Sequence, residues 1–145
     1  MAEGDGKIYF TFAEKVLSGL IDLATAGDTI KVGLVTAHTP DQDAHDVWSD
    51  VSGDEEAGPG YTAGGETLGS QTVSIDSGNN RASFDGANVT WTGLDVGTPS
   101  HAIMYSVTAS NALIAYWELT TASNGGDYTL QWHVDGIILL TVPIV

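Results

Sequence analysis

HAIMYSVTASNALIAYWEL, His101 to Leu119, is the stretch on which the fold turns. Two apolar runs, His101–Val107 and Ala112–Leu119, flank a Ser-Asn turn, which reads as a pair of antiparallel strands. The same grammar continues on both sides. Val73–Ile75 and Ala82–Phe84 flank the turn Ser-Gly-Asn-Asn-Arg, a hairpin signal. Asn88–Thr92 alternates Val89 and Trp91 with Thr90 and Thr92. Tyr128–Val134 alternates Tyr128, Leu130, Trp132 and Val134 with polar partners. Gly136–Val145 is a last uncharged run of ten residues, too short to span a bilayer as a helix. Its period and length predict a central core strand.

The N-terminal quarter is patterned differently. Residues 1–6 read as a flexible tail. Phe12, Val16, Leu20 and Leu23 follow helical spacing, widened by Ala13, Leu17, Ile21 and Ala24, which predicts a helix over Phe10–Ala24. Thr11 with Glu14 offers a capping box, and Gly27 a stop, although Gly19 interrupts the pattern. After Asp28 the period changes. Ile30, Val32, Leu34 and Thr36 alternate with Lys31, Gly33, Val35 and Ala37, a strand with one buried face. The sum is a mainly β fold: an antiparallel β-sandwich or barrel-like domain with one N-terminal α-helix, residues 1–145 forming a single domain.

Charge narrows the function. Nineteen acidic residues against four basic ones give a net charge of −15. Lys7, Lys15, Lys31 and Arg81 are dispersed, so no basic patch exists to displace counterions from a phosphate backbone. Nucleic acid and anionic membrane surfaces are excluded as partners on that ground. With no cysteine there is neither disulfide nor thiolate metal site. The start MAEGDGKIYF is acidic and lacks the apolar core of a signal peptide, so the chain is expected to be soluble and made in its producer's cytoplasm.

Residues 38–60 form a long acidic loop. Asp41, Asp43, His45, Asp46, Asp50, Asp54, Glu55 and Glu56 fall within sixteen residues. Asp41, Asp43 and Asp46 are the one candidate cation site, with the oxygen donors that Ca²⁺ takes, but the EF-hand spacing is absent. A solvated acidic loop is the favoured reading, with no metal and no cofactor. Catalytic signatures are missing: no Gly-Xaa-Ser-Xaa-Gly, and no zincin spacing among His38, His45, His101 and His133. No pair among nineteen carboxylates is singled out for acid–base work. Gly58, Gly60, Gly64 and Gly65 do not match a phosphate loop and read as turns with positive φ or close backbone approach. Trp91, Trp117 and Trp132 lie on strand patterns and read as core or half-core. Trp48, in the acidic loop, either pins that loop to the body or anchors a partner, and pinning is favoured.

Several segments in order carry a family likeness. They are Ile30–Thr36 (IKVGLVT), Trp48–Val51 (WSDV), Gly60–Gly65 (GYTAGG), Ala87–Trp91 (ANVTW), Leu113–Tyr116 (LIAY), and Tyr128–Trp132 (YTLQW) followed by Gly136-Ile137. In this order the chain resembles a family of small virion structural proteins of tailed bacteriophages. The resemblance implies a non-enzymatic part of the virion, foremost a capsid decoration or cement protein. Such a protein is made in the host cytoplasm and binds the outer surface of the major capsid protein shell. It also implies self-association, as a homotrimer. A tail or fibre component of the virion, or a carbohydrate-binding β-sandwich acting on the host surface, are the alternatives. The residues proposed to meet partners are Trp48, Tyr61, Ile137, Ile138, Leu139 and Leu140. The family carries no catalytic motif to transfer.

Overall fold

A computed structural model describes residues 6–142. In chain order the elements are β1 (Lys7–Ile8), α1 (Phe10–Leu17), β2 (Ile30–Val35), β3 (Glu66–Thr67), β4 (Thr72–Asp76), β5 (Arg81–Asp85), β6 (Val89–Trp91), β7 (His101–Ser106), β8 (Ala112–Glu118), β9 (Tyr128–Leu130) and β10 (Ile138–Thr141). The fold is mainly β with one N-terminal helix. Its strands form antiparallel sheets of five (β1-β8-β7-β2-β3), three (β10-β5-β4) and two (β6-β9). The tail predicted over residues 1–6 lies outside the described residues except for Gly6. That glycine rests against the Trp117 indole, where a Cβ would come within 2.3 Å of the ring.

The five-stranded sheet is buried on both faces, where sequence alternation predicted one for β2. Ile30, Val32 and Leu34, with Ala102, Met104 and Ile114, face the main core. Val89, Trp91, Tyr128 and Leu130 of the two-stranded sheet and Phe84 of β5 complete that core. Val35, Ile103, Tyr105, Leu113 and Tyr116 face a second, smaller core with Tyr9 and Val51. A β-bulge sets these faces. Met104 pairs with Ala115, but Tyr105 pairs with Leu113, leaving Ile114 extra. The extra residue shifts the alternation, so that Ile114, Ala115 and Trp117 all turn to the main core.

The helix is about half its predicted length. It stops at Leu17 because Gly19 takes φ +75°. The Leu20 amide donates to the Lys15 carbonyl (2.8 Å) and the Gly19 amide to that of Val16 (3.1 Å), a Schellman closure. Gly19, not Gly27, is therefore the stop. The Thr11–Glu14 capping box is not formed either. The N-cap is Tyr9, without a side-chain cap, and the Phe10 amide donates to the Gln42 carbonyl at 3.0 Å. Phe12 and Ile21 reach the core, while Val16 and Leu20 remain exposed.

The run Gly136–Val145 is not a central core strand. Its strand, β10, pairs with β5 alone and forms one edge of the three-stranded sheet. The five-stranded sheet is already bounded by β1 and β3, so the run finds its partner on this smaller sheet. Ile137 and Ile138 are half-buried, Leu139 and Leu140 exposed, and residues 143–145 lie outside the described residues.

Candidate functional site

The acidic loop is a lid on the second face of the large sheet. Its first half is tied to the β1–α1 corner. The Lys15 ammonium lies 2.6 Å from Asp46 Oδ1 and also donates to the Asp46 carbonyl. Gln42 Nε2 donates to the Ile8 carbonyl at 2.8 Å. Around Trp48 the chain makes a short 3-10 turn, and the Trp48 amide donates to the Asn111 carbonyl. The second half returns along β2: the Thr36 amide donates to the Asp54 carbonyl, and the Glu56 amide to that of Leu34. His38, buried at the lid's start, places Nδ1 2.7 Å from Asp54 Oδ2.

Trp48 is the pin of this lid. Its ring stacks on Tyr105 with centroids 4.5 Å apart and planes 13° from parallel. Its other neighbour is Gly33, where a Cβ would stand 2.3 Å from Cη2. Tyr61, a second proposed contact residue, is occupied internally. Its hydroxyl donates to Glu55 Oε1 (2.8 Å) and accepts the Leu34 amide (3.1 Å). Beside it the glycine turn follows the backbone-geometry reading: Gly64 and Gly65 sit at φ +88° and +72°. The Tyr105 hydroxyl locks that turn by donating to the Gly64 carbonyl at 2.7 Å.

The three aspartates of the candidate cation site are not brought together, and among the described residues no group of three His, Asp or Glu side chains is placed to hold a metal ion. Each of two carboxylates has another task. Asp41 Oδ1 accepts the amides of Asp43 and Ala44, and Asp46 is held by Lys15. Amide donation holds the carboxyl of Asp41 below the usual aspartate range, and the Lys15 ammonium does the same for Asp46. Asp50 is lowered likewise by the amides of Val47 and Asp46.

These lowered carboxyls tie the lid to pH with a definite sign. Their contribution is complete above about pH 4, where the unfolded aspartates are also ionised, and is lost as pH falls through the lower folded values. Lys15→Met is expected to be less stable than wild type at pH 7. The gap between the two closes on acidification below about pH 4, as Asp46 protonates in both. Urea midpoints across pH measure it, and a gap that stays constant to pH 2 refutes the assignment.

A second feature is an arm made by the three-stranded sheet. The register aligns Val73, Phe84 and Ile138 on one face, followed by Ile75, Ala82 and Leu140. At the root, Phe84 and Ile138 close onto the core. Towards the hairpin turn the same face is open: Ile75 is 84% and Leu140 67% exposed. Val142, two residues on from Leu140, extends the row and is exposed as well. The charges lie on the opposite face, where Arg81 bridges Asp76 (3.0 Å) and Asp135 (3.2 Å). Leu139 belongs to that opposite face, across from Ser83. Of the six proposed contact residues, Leu140 alone stands on the open apolar row. Sequence reading missed Val73 and Ile75 as surface residues, because alternation alone does not say which face the core takes.

No protein-family model, curated protein or solved structure matches the chain. No helix among the described residues is long and apolar enough to cross a membrane.

Proposed function

We propose that this chain is a non-enzymatic structural protein of a tailed-bacteriophage virion, a decoration protein that seats on the outer surface of the major capsid protein shell and stabilises it. The ordered segments from Ile30 to Ile137 supply the likeness. The open face of the β4-β5-β10 arm is the observation that carries the reading. In a chain of net charge −15, a row of exposed apolar side chains free of charge is a surface kept for a partner. Acidity elsewhere keeps the molecules apart until that partner is met.

The test is reconstitution. Adding the protein to undecorated shells is expected to raise their melting temperature, and Ile75→Asp is expected to lose that effect. Shells that melt unchanged at saturating protein defeat the proposal. Mass spectrometry of purified particles distinguishes the head from a tail or fibre location.

A further inference from the structure

Three of the four histidines meet at the start of the lid. The His38 ring lies 5.3 Å from that of His45 and 6.5 Å from that of His101, centroid to centroid. His38 and His45 belong to the lid, whereas His101 is the first residue of β7 in the sheet. One hydroxyl joins the two layers: Ser100 Oγ accepts the His38 amide at 3.1 Å and lies 3.2 Å from His101 Nδ1.

The hydrogen bonds suit uncharged rings. The Asp41 amide donates to His45 Nδ1 at 3.2 Å, a bond that exists only while that nitrogen carries no proton. With His38 Nδ1 donating to the Asp54 carboxylate, the nitrogen that changes on protonation is Nε2. That atom is buried and has no hydrogen-bond partner among the described residues, so a proton on it would be an unpaired donor. Burial of the half-buried His101 holds its pKa below the usual histidine value, against the pull of Glu118 and with the help of His38 and Lys7. The charges around the cluster are Asp54 beside His38, Asp41 and Asp50 near His45, and Glu118 and Lys7 near His101, with the Tyr116 ring 5.9 Å from His101. All four carboxylates are exposed, so water screens their attraction for a proton. The rings face one another where His38 is buried and screening is weaker.

We infer that this cluster is an acid-sensitive latch: residues 38–45 lie closed on the sheet while the rings are neutral, and protonation of His101 and its neighbours lifts them off. The sign follows from His101. Its charged form is disfavoured under the closed lid, so its contribution to closure is complete above about pH 6.5 and is lost as pH falls from there towards the lower value of the closed form. The far end of the lid does not follow. Asp46 stays ionised and paired with Lys15 through this window, and Trp48 stays stacked on Tyr105. Acid therefore acts in two steps, first at the histidines and then, below about pH 4, at the aspartates. The latch does not depend on which partner the protein meets.

Amide exchange of the purified full chain, read by NMR and divided by the intrinsic rate at each pH, tests the idea. The reporters are the amides of His38, of His45 and of Phe10, which donates to the Gln42 carbonyl. Between about pH 7.5 and about pH 5.5 their protection is expected to fall about tenfold, the effect of one histidine that titrates only when the lid is open. Protection in β7 and β8 is expected to hold. His101→Gln is expected to keep wild-type protection at the higher pH and to lose most of the tenfold fall. A second measurement needs no variant: the His101 ring resonance is expected to take up its proton in step with the loss of protection at His38. Protection that is steady over this range overturns the latch. So does a fall shared equally by β7 and β8, a full fall retained in His101→Gln, or a His101 ring that gains its proton while the His38 amide stays protected.

Discussion

Gly65→Ala is expected to destabilise the protein by about 3–4 kcal/mol, near the upper end for a single substitution. Two costs add. Residue 65 sits at φ +72°, a conformation that costs an L-residue about 1–2 kcal/mol. A Cβ there would also stand 2.0 Å from the Val32 carbonyl oxygen and 2.6 Å from Gly33 Cα. Those are backbone atoms of β2, which lies inside the large sheet between β7 and β3, so no side chain can turn away to make room. Gly64 is the control. It shares the left-handed backbone at φ +88°, but its nearest neighbours are side-chain atoms at 3.4 Å and beyond. Gly64→Ala is expected to pay the conformational cost alone, about 1–2 kcal/mol. Urea denaturation of both measures the difference. Equal losses for the two would mean that close approach to β2 has no part in holding the turn.

Much of this architecture is legible in the residues. The hairpin at Ser77–Arg81, the pair flanking Ser110-Asn111 and the strand around Val89 form where alternation and turn chemistry place them, while the strand begun at Tyr128 stops at Leu130 and leaves Val134 exposed. Three features escaped for identifiable reasons. Leu20 and Leu23 continue a helical period past Leu17, yet a left-handed glycine at 19 ends the hydrogen-bonded ladder whatever the period of the side chains beyond it. Gly136–Val145 is apolar enough for a core, but apolarity also suits a surface awaiting a partner, and strand pairing decides between them. The acidic loop reads as solvated because its charges dominate its composition. Pinning by Trp48 is the favoured reading and is what the structure shows, but the ties made by Gln42, Asp46 and Asp54 depend on partners distant in sequence. Of the contact residues, Trp48 and Tyr61 were visible as unusual, but their internal partners Tyr105, Gly33 and Glu55 were not.

Gly33→Ala carries the other large effect, and its sign is the informative part. Gly33 lies within β2, where no positive φ requires a glycine. In an open strand, alanine for glycine gains about 0.5–1 kcal/mol by limiting the unfolded chain. Here the added methyl meets the Trp48 ring at 2.3 Å, and that ring is stacked on Tyr105. Overpacking of this kind costs about 1–3 kcal/mol. The variant is therefore expected to be less stable than wild type by about 1–2 kcal/mol. Amide exchange is expected to rise across residues 46–56, where the lid loses its pin, more than in β7 and β8. Trp48→Ala supplies the second arm of a double-mutant cycle. With the ring gone, the collision is gone, and Gly33→Ala in the Trp48→Ala background is expected to be neutral or stabilising. The coupling between the two positions is then the strength of the pin. Gly33→Ala that stabilises the otherwise intact protein would show that Trp48 does not bear on β2, and that the lid is held by its polar ties alone.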